Sequence, residues 1–211
     1  MTEQRADAIA AALAMLRDPQ LARLAQRAPL PKGMTMLLEV AAGEAAALAS
    51  AHSITSRSEA TLQRAAGFFI EQVLLNRQSD NYRVLGSSPN APSADLRRHM
   101  ALLLKWLHPD LFQSSGDDKA FNRSAYVSLV TEAWEALKTP GRRASYDASL
   151  ASRERQSETG RPRHDGNGMP PGVHAAGARI PRGMSRGRPV PYRFQYGGFL
   201  TRLFYFFGLY R

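Results

Sequence analysis

His108, Pro109 and Asp110 are the residues whose types and order are suited to chemistry, a histidine and a carboxylate held on either side of a proline. Proline has no N–H and disfavours the helical conformation in the residue before it, so the helix that leads into this tripeptide should stop near His108. His108 and Asp110 are then presented on a loop. Other chemistry finds little material. The chain has no cysteine, no phosphate-cradling glycine loop ahead of Lys-Ser or Lys-Thr, and no pair of histidines at metal-ligand spacing. His52, His99, His164 and His174 are scattered and read as surface or partly buried structural histidines. We expect no enzyme, no cofactor and no metal site.

The tripeptide closes the helical run Leu96 to Asp110. Leu96, Met100, Leu103, Leu104 and Leu107 recur at helical spacing and form an apolar face that requires a partner. Arg97, Arg98 and Lys105 lie off that stripe, which gives the helix a cationic side for solvent or an acidic partner. A second amphipathic helix follows, carrying Val127, Val130, Trp134 and Leu137, and the two should face each other as an antiparallel hairpin. Asn81 to Gly86 reads as a short helical turn stopped by glycine, and Thr139-Pro140 starts a last short helix with Arg143 and Asp147 one turn apart.

Upstream, an Ala-rich stretch to about Arg27 is expected to form two helices divided at Asp18-Pro19. Pro29 to Gly33 makes a turn, and the spacing of Leu37, Leu38, Ala41, Ala45 and Leu48 predicts one helix from Met34 to about Ser50. Ser56-Arg57-Ser58-Glu59 has the form of a capping box ahead of a helix Thr61 to Asn76, which is apolar on more than one face and should be central to its domain. No strand pattern of alternating β-branched residues precedes residue 150, so the folded part is expected to be all-α.

The chain of 211 residues carries a formal net charge of +10, unevenly placed. From residue 151 onward there are eleven arginines and three acids, which accounts for +8 and leaves +2 for the first 150 residues. The basic balance therefore describes the tail. The lack of cysteine suits a reducing compartment, the N-terminus lacks signal-peptide character, and no apolar run approaches the roughly 20 residues of a membrane-spanning helix. The expected location is cytoplasmic, with a peripheral position at the inner face of a membrane as the alternative.

Residues 80–147 resemble the J-domain of DnaJ-type co-chaperones. The resemblance is carried by Tyr82-Arg83-Val84-Leu85-Gly86, Asp95-Leu96-Arg97-Arg98, His108-Pro109-Asp110, Ala133-Trp134-Glu135-Ala136-Leu137 and Arg142-Arg143-Ala144-Ser145-Tyr146-Asp147, five segments in order. It implies a J-domain hairpin (80–150), which with the helices read upstream gives an expected all-α fold, an N-terminal helical bundle (1–78) followed by that hairpin. It implies a module that docks on a DnaK-type chaperone ATPase and stimulates ATP hydrolysis there. Asp110 would accept a hydrogen bond from a partner arginine, Pro109 fix the loop and His108 help to hold it, while Arg97, Arg98 and Lys105 supply the positive helix face. Where family members carry further basic residues in mid-helix, this chain has Ala101 and Leu102, and Leu111 and Phe112 follow the tripeptide. Charge-driven docking should be weaker than in a typical member.

Leu102 and Trp106 lie one turn apart on the outward side of this helix. The N-terminal region is expected to pack there; a satisfied apolar patch or a homodimer contact are the alternatives. Residues 151–191, rich in Arg, Gly, Pro and Ser, should be a disordered linker. Residues 192–211 are aromatic and basic, with Phe199, Leu203, Phe204 and Phe207 beside Arg202. This segment suits an anionic bilayer interface or a groove on a protein, while single-stranded nucleic acid is the weakest of the three readings. Two functions follow: a J-domain co-chaperone whose other regions choose client or location, or a non-stimulating structural adaptor with a drifted J-domain.

Overall fold

In the computed structural model the chain is described over residues 3–76, 78–108 and 117–159, all within one compact unit, Met1–Arg163. The described residues contain helices and turns and no strand. Residues 1–78 and 80–150, expected to be two domains, both belong to that unit.

Helix α1 (Glu3–Arg17) buries Ala8, Ile9, Ala12 and Met15, one face at helical spacing. The short α2 (Leu21–Ala25) follows a turn in which the Asp18 carboxylate accepts the Gln20 amide. The expected single helix from Met34 is two helices, α3 (Met34–Ala41) and α4 (Ala45–Thr55), bent by 114°. The break is at Gly43, whose φ of +75° lies in the left-handed region that ends a helix at little cost only for glycine. Ala-rich spacing alone concealed it.

The cap before α5 (Glu59–Phe69) also differs from expectation. Ser58, and not Ser56, accepts the Thr61 amide at 3.4 Å, while Ser56 closes α4 with φ +52°. α5 then widens into a π-helical turn, Ile70–Leu74, in which Leu75 N–H reaches back to the Ile70 carbonyl. The turn buries Ile70, Val73, Leu74 and Leu75 together, so the helix is as central as its composition implied. α1, α3 and α4 pack around α5.

The second half comprises α6 (Asn81–Val84), α7 (Ser93–Trp106), α8 (Asp117–Leu137) and α9 (Pro140–Thr159). α7 packs on α8, and α8 on α6 and α9. The α8 face seals with Val130, Ala133 and Leu137, whereas Val127 and Trp134 are only half-buried. α9 is not short: it runs 20 residues, nine of them beyond residue 150 and inside the stretch expected to be a disordered linker. Among the described residues no single helix is long and apolar enough to cross a membrane.

Candidate functional site

α7 carries the candidate surface and has two working sides. Asp95 sits in its first turn, where a carboxylate suits the positive end of the helix dipole. Leu96 and Leu103 are fully buried, with Met100, Leu104 and Leu107 nearly so, which is the apolar face read from the sequence. The helix closes as Leu107 N–H bonds the Leu103 carbonyl and His108 N–H the Lys105 carbonyl at 3.1 Å. His108, half-buried, is therefore the residue that leaves the last turn. Pro109 and Asp110 lie outside the described residues.

α6 is tied to α9, and α9 to the loop that leads into α7. The buried Tyr82 hydroxyl donates to Asp147 Oδ1 at 2.7 Å and accepts from Arg143 Nε at 2.9 Å. The Arg143 guanidinium also lies over the Tyr82 ring, 5.2 Å from its centroid, and reaches the Pro89 carbonyl. Tyr146 meets Tyr82 edge-on at 5.9 Å, and its hydroxyl accepts the Asn81 amide at 2.8 Å. Burial, aided by the bond to Asp147, pushes the Tyr82 phenol up from its ordinary range, so it remains a neutral donor. Arg143 and Asp147, expected to be one turn apart on a helix, thus converge on one tyrosine.

The opposite side of α7 meets the N-terminal helices. Arg98 pairs with Glu39 of α3, and Lys105 Nζ with Glu44 Oε1 at 2.8 Å, just beyond Gly43. Leu102 and Trp106 are buried, and Trp106 lies against Gly67 of α5, where a β-carbon would stand 3.5 Å from the indole Cζ2. Arg97 stays exposed. Of the three expected cationic residues, two therefore face carboxylates of this same chain.

His99 is 4% exposed, more deeply buried than the sequence suggested, and joins the same seam. Its Nδ1 lies 2.9 Å from the Leu85 carbonyl and 3.0 Å from Ser87 Oγ, and its Nε2 lies 2.8 Å from Thr35 Oγ1 of α3. A carbonyl only accepts, so Nδ1 carries the proton and Nε2 accepts from Thr35. Burial lowers the His99 pKa from its ordinary value, which keeps the ring neutral. Arg83 adds a further tie, donating to the carbonyls of Ala25, Ala28 and Val73.

Glu39, Glu44, Gly67 and the role of His99 were not found from the sequence. Their partners are far away in the chain, and the available signal was indirect: apolar Leu102 and Trp106 on a side expected to be charged. Phe199, Arg202, Leu203, Phe204 and Phe207 lie outside the described residues.

No protein-family model matches the chain, and no solved structure matches it. Among curated proteins it is similar to chaperone protein DnaJ of Listeria monocytogenes, with 37% identity over 68 residues, 32% of this chain and 16% of that protein. The DnaJ of Bacillus velezensis is 38% identical over 68 residues, again 32% of this chain and 16% of the relative. That of Nitrosomonas europaea is 39% identical over 70 residues, 33% of this chain and 18% of the relative. The chain thus spans less than a fifth of the length of these relatives, and the similarity covers a third of its own.

Proposed function

We propose that residues 80–150 form a J-domain, and that the protein is a co-chaperone docking on a DnaK-type ATPase to stimulate its ATP hydrolysis. The reading is carried by one observation: similarity to DnaJ over a third of a chain in which an amphipathic helix ends at His108-Pro109-Asp110. Tyr82, Arg143 and Asp147 support it, because a docking helix transmits contact only if its frame is rigid, and their bonds tie α6 to α9. The chain itself catalyses nothing in this reading. The tripeptide contacts the partner, with Asp110 accepting from a partner arginine and Pro109 holding the loop. The N-terminal helices and the tail select client or location.

Single-turnover ATP hydrolysis by a DnaK-type chaperone tests this directly. Wild-type protein should accelerate the step and His108→Gln should not. Equal rates with both proteins, or no acceleration by the wild type, would remove the reading.

One observation favours a second reading, the structural adaptor. The helix face that would meet the ATPase has Leu102 and Trp106 buried and Arg98 and Lys105 already paired. An adaptor would bind without raising the hydrolysis rate.

A further inference from the structure

We propose that the α3–α4 turn is an intramolecular occupant of the α7 docking face, so that the N-terminal helices and an acidic chaperone surface compete for the same side chains. The inference rests on the co-chaperone reading and adds its regulation. Arg98, Leu102, Lys105 and Trp106 stand at helical spacing on one side of α7. That side would offer two cations and an apolar patch to a partner. In this chain it is already matched: Glu39 and Glu44 supply two carboxylates, and α5 supplies an apolar floor at Gly67. The Glu44 N–H bond to the Glu39 carbonyl, 2.9 Å, holds both acids on one tight turn. The turn thereby presents the charge pattern that an acidic partner would present.

The seam is built to release more easily than the other side of α7. Its ion pairs are partly open to water, with Arg98 61% exposed, Lys105 38%, Glu44 45% and Glu39 20%. Such pairs contribute little and are screened by salt. A cleft of about 490 Å³, lined by Leu16, Ala42, Gly43, Phe68 and Trp106, leaves part of the seam unpacked. Opening is a swing of α3 and α4 away from α7 that separates Thr35 from His99. The Arg83 bonds to the Ala25, Ala28 and Val73 carbonyls keep the two halves tethered while this happens.

The chain has no cysteine, so a cross-link can be introduced cleanly in the full-length protein. Thr35→Cys with Ser87→Cys, which stand at the two ring nitrogens of His99, joined by a short bismaleimide, locks α3 beside α7 and leaves every docking side chain in place. Single-turnover ATP hydrolysis by a DnaK-type chaperone is then measured for linked and unlinked forms, alongside Glu39→Lys/Glu44→Lys and His108→Gln. Replacing attraction by repulsion at two exposed pairs should raise stimulation about tenfold over wild type. The linked form should fall to the His108→Gln level while its unlinked form stays active. Linked protein as active as unlinked, or charge reversal without gain, overturns the competition and leaves the co-chaperone reading standing. Rates at the His108→Gln level in every form overturn both.

Discussion

The two sides of α7 are made differently. Toward α8 the contact is apolar and closed, with Leu96 and Leu103 fully buried and Met100 and Leu107 nearly so. Toward α3 and α5 it is mixed: one tryptophan, one leucine at the edge of burial, two water-exposed ion pairs and a buried histidine. The first kind of contact holds a fold together, because its favourable free energy comes from apolar area removed from water and is neither screened by salt nor titrated by pH. The second responds to both, which suits a surface that changes partners.

The largest effect should come from cutting into each side in turn. Leu103→Ala should cost about 4 kcal/mol in urea unfolding, since a fully buried leucine leaves a cavity its neighbours cannot fill. Trp106→Ala should cost about 3 kcal/mol, at the low end for tryptophan, because the adjoining cleft already leaves part of its surroundings unpacked. A loss at Trp106 larger than that at Leu103 would erase the distinction.

A smaller effect belongs to the frame behind α7. Tyr82→Phe keeps the ring and removes the hydroxyl that joins Asp147 to Arg143, which should lower stability by about 1–2 kcal/mol. Adding Asp147→Asn to Tyr82→Phe should cost little more, and a fully additive second loss would show that the two side chains act separately.

The smallest effect is a pH dependence confined to the α3 side. Burial holds the His99 pKa below its ordinary value, with the Arg98 charge acting in the same direction and the bond to the Leu85 carbonyl and the Asp95 charge opposing it. The unfolded chain therefore takes up a proton before the folded one does. Stability should be full above about pH 6.5 and decline as pH falls through that value toward the lower folded-state pKa. Melting temperatures between pH 7.5 and 5 should fall more steeply for wild type than for His99→Gln; parallel curves would mean that His99 does not carry the dependence.

The closed side of α7 was legible in the sequence because its pattern is local. Leucines at helical spacing, a proline at the end and a matching apolar stripe further on specify two amphipathic helices from neighbouring residues alone. The open side was legible only as an oddity, Leu102 and Trp106 where charge was expected. Nothing local tells Arg98 that its carboxylate is 59 positions away. The break at Gly43 escaped for a related reason: one glycine in an Ala-rich run with apolar spacing on both sides differs from a continuous helix only in the backbone angle. The length of α9 escaped because Arg142, Ser145, Ser152, Arg153 and Arg155 are exposed along it, and such polar composition marks a solvated helix as readily as a linker. For the tripeptide, the sequence speaks for all three residues while the structure positions His108 alone.

The central claim is that α7 meets both the N-terminal helices and a chaperone through one face. Amide hydrogen exchange of the full-length protein, with and without an ATP-bound DnaK-type chaperone, tests it most directly. Docking should leave the amides of Leu102 to Leu107 protected while those of α3 and the Gly43 turn lose protection, as one occupant replaces the other. Unchanged exchange in α3 with new protection elsewhere on the surface would contradict it.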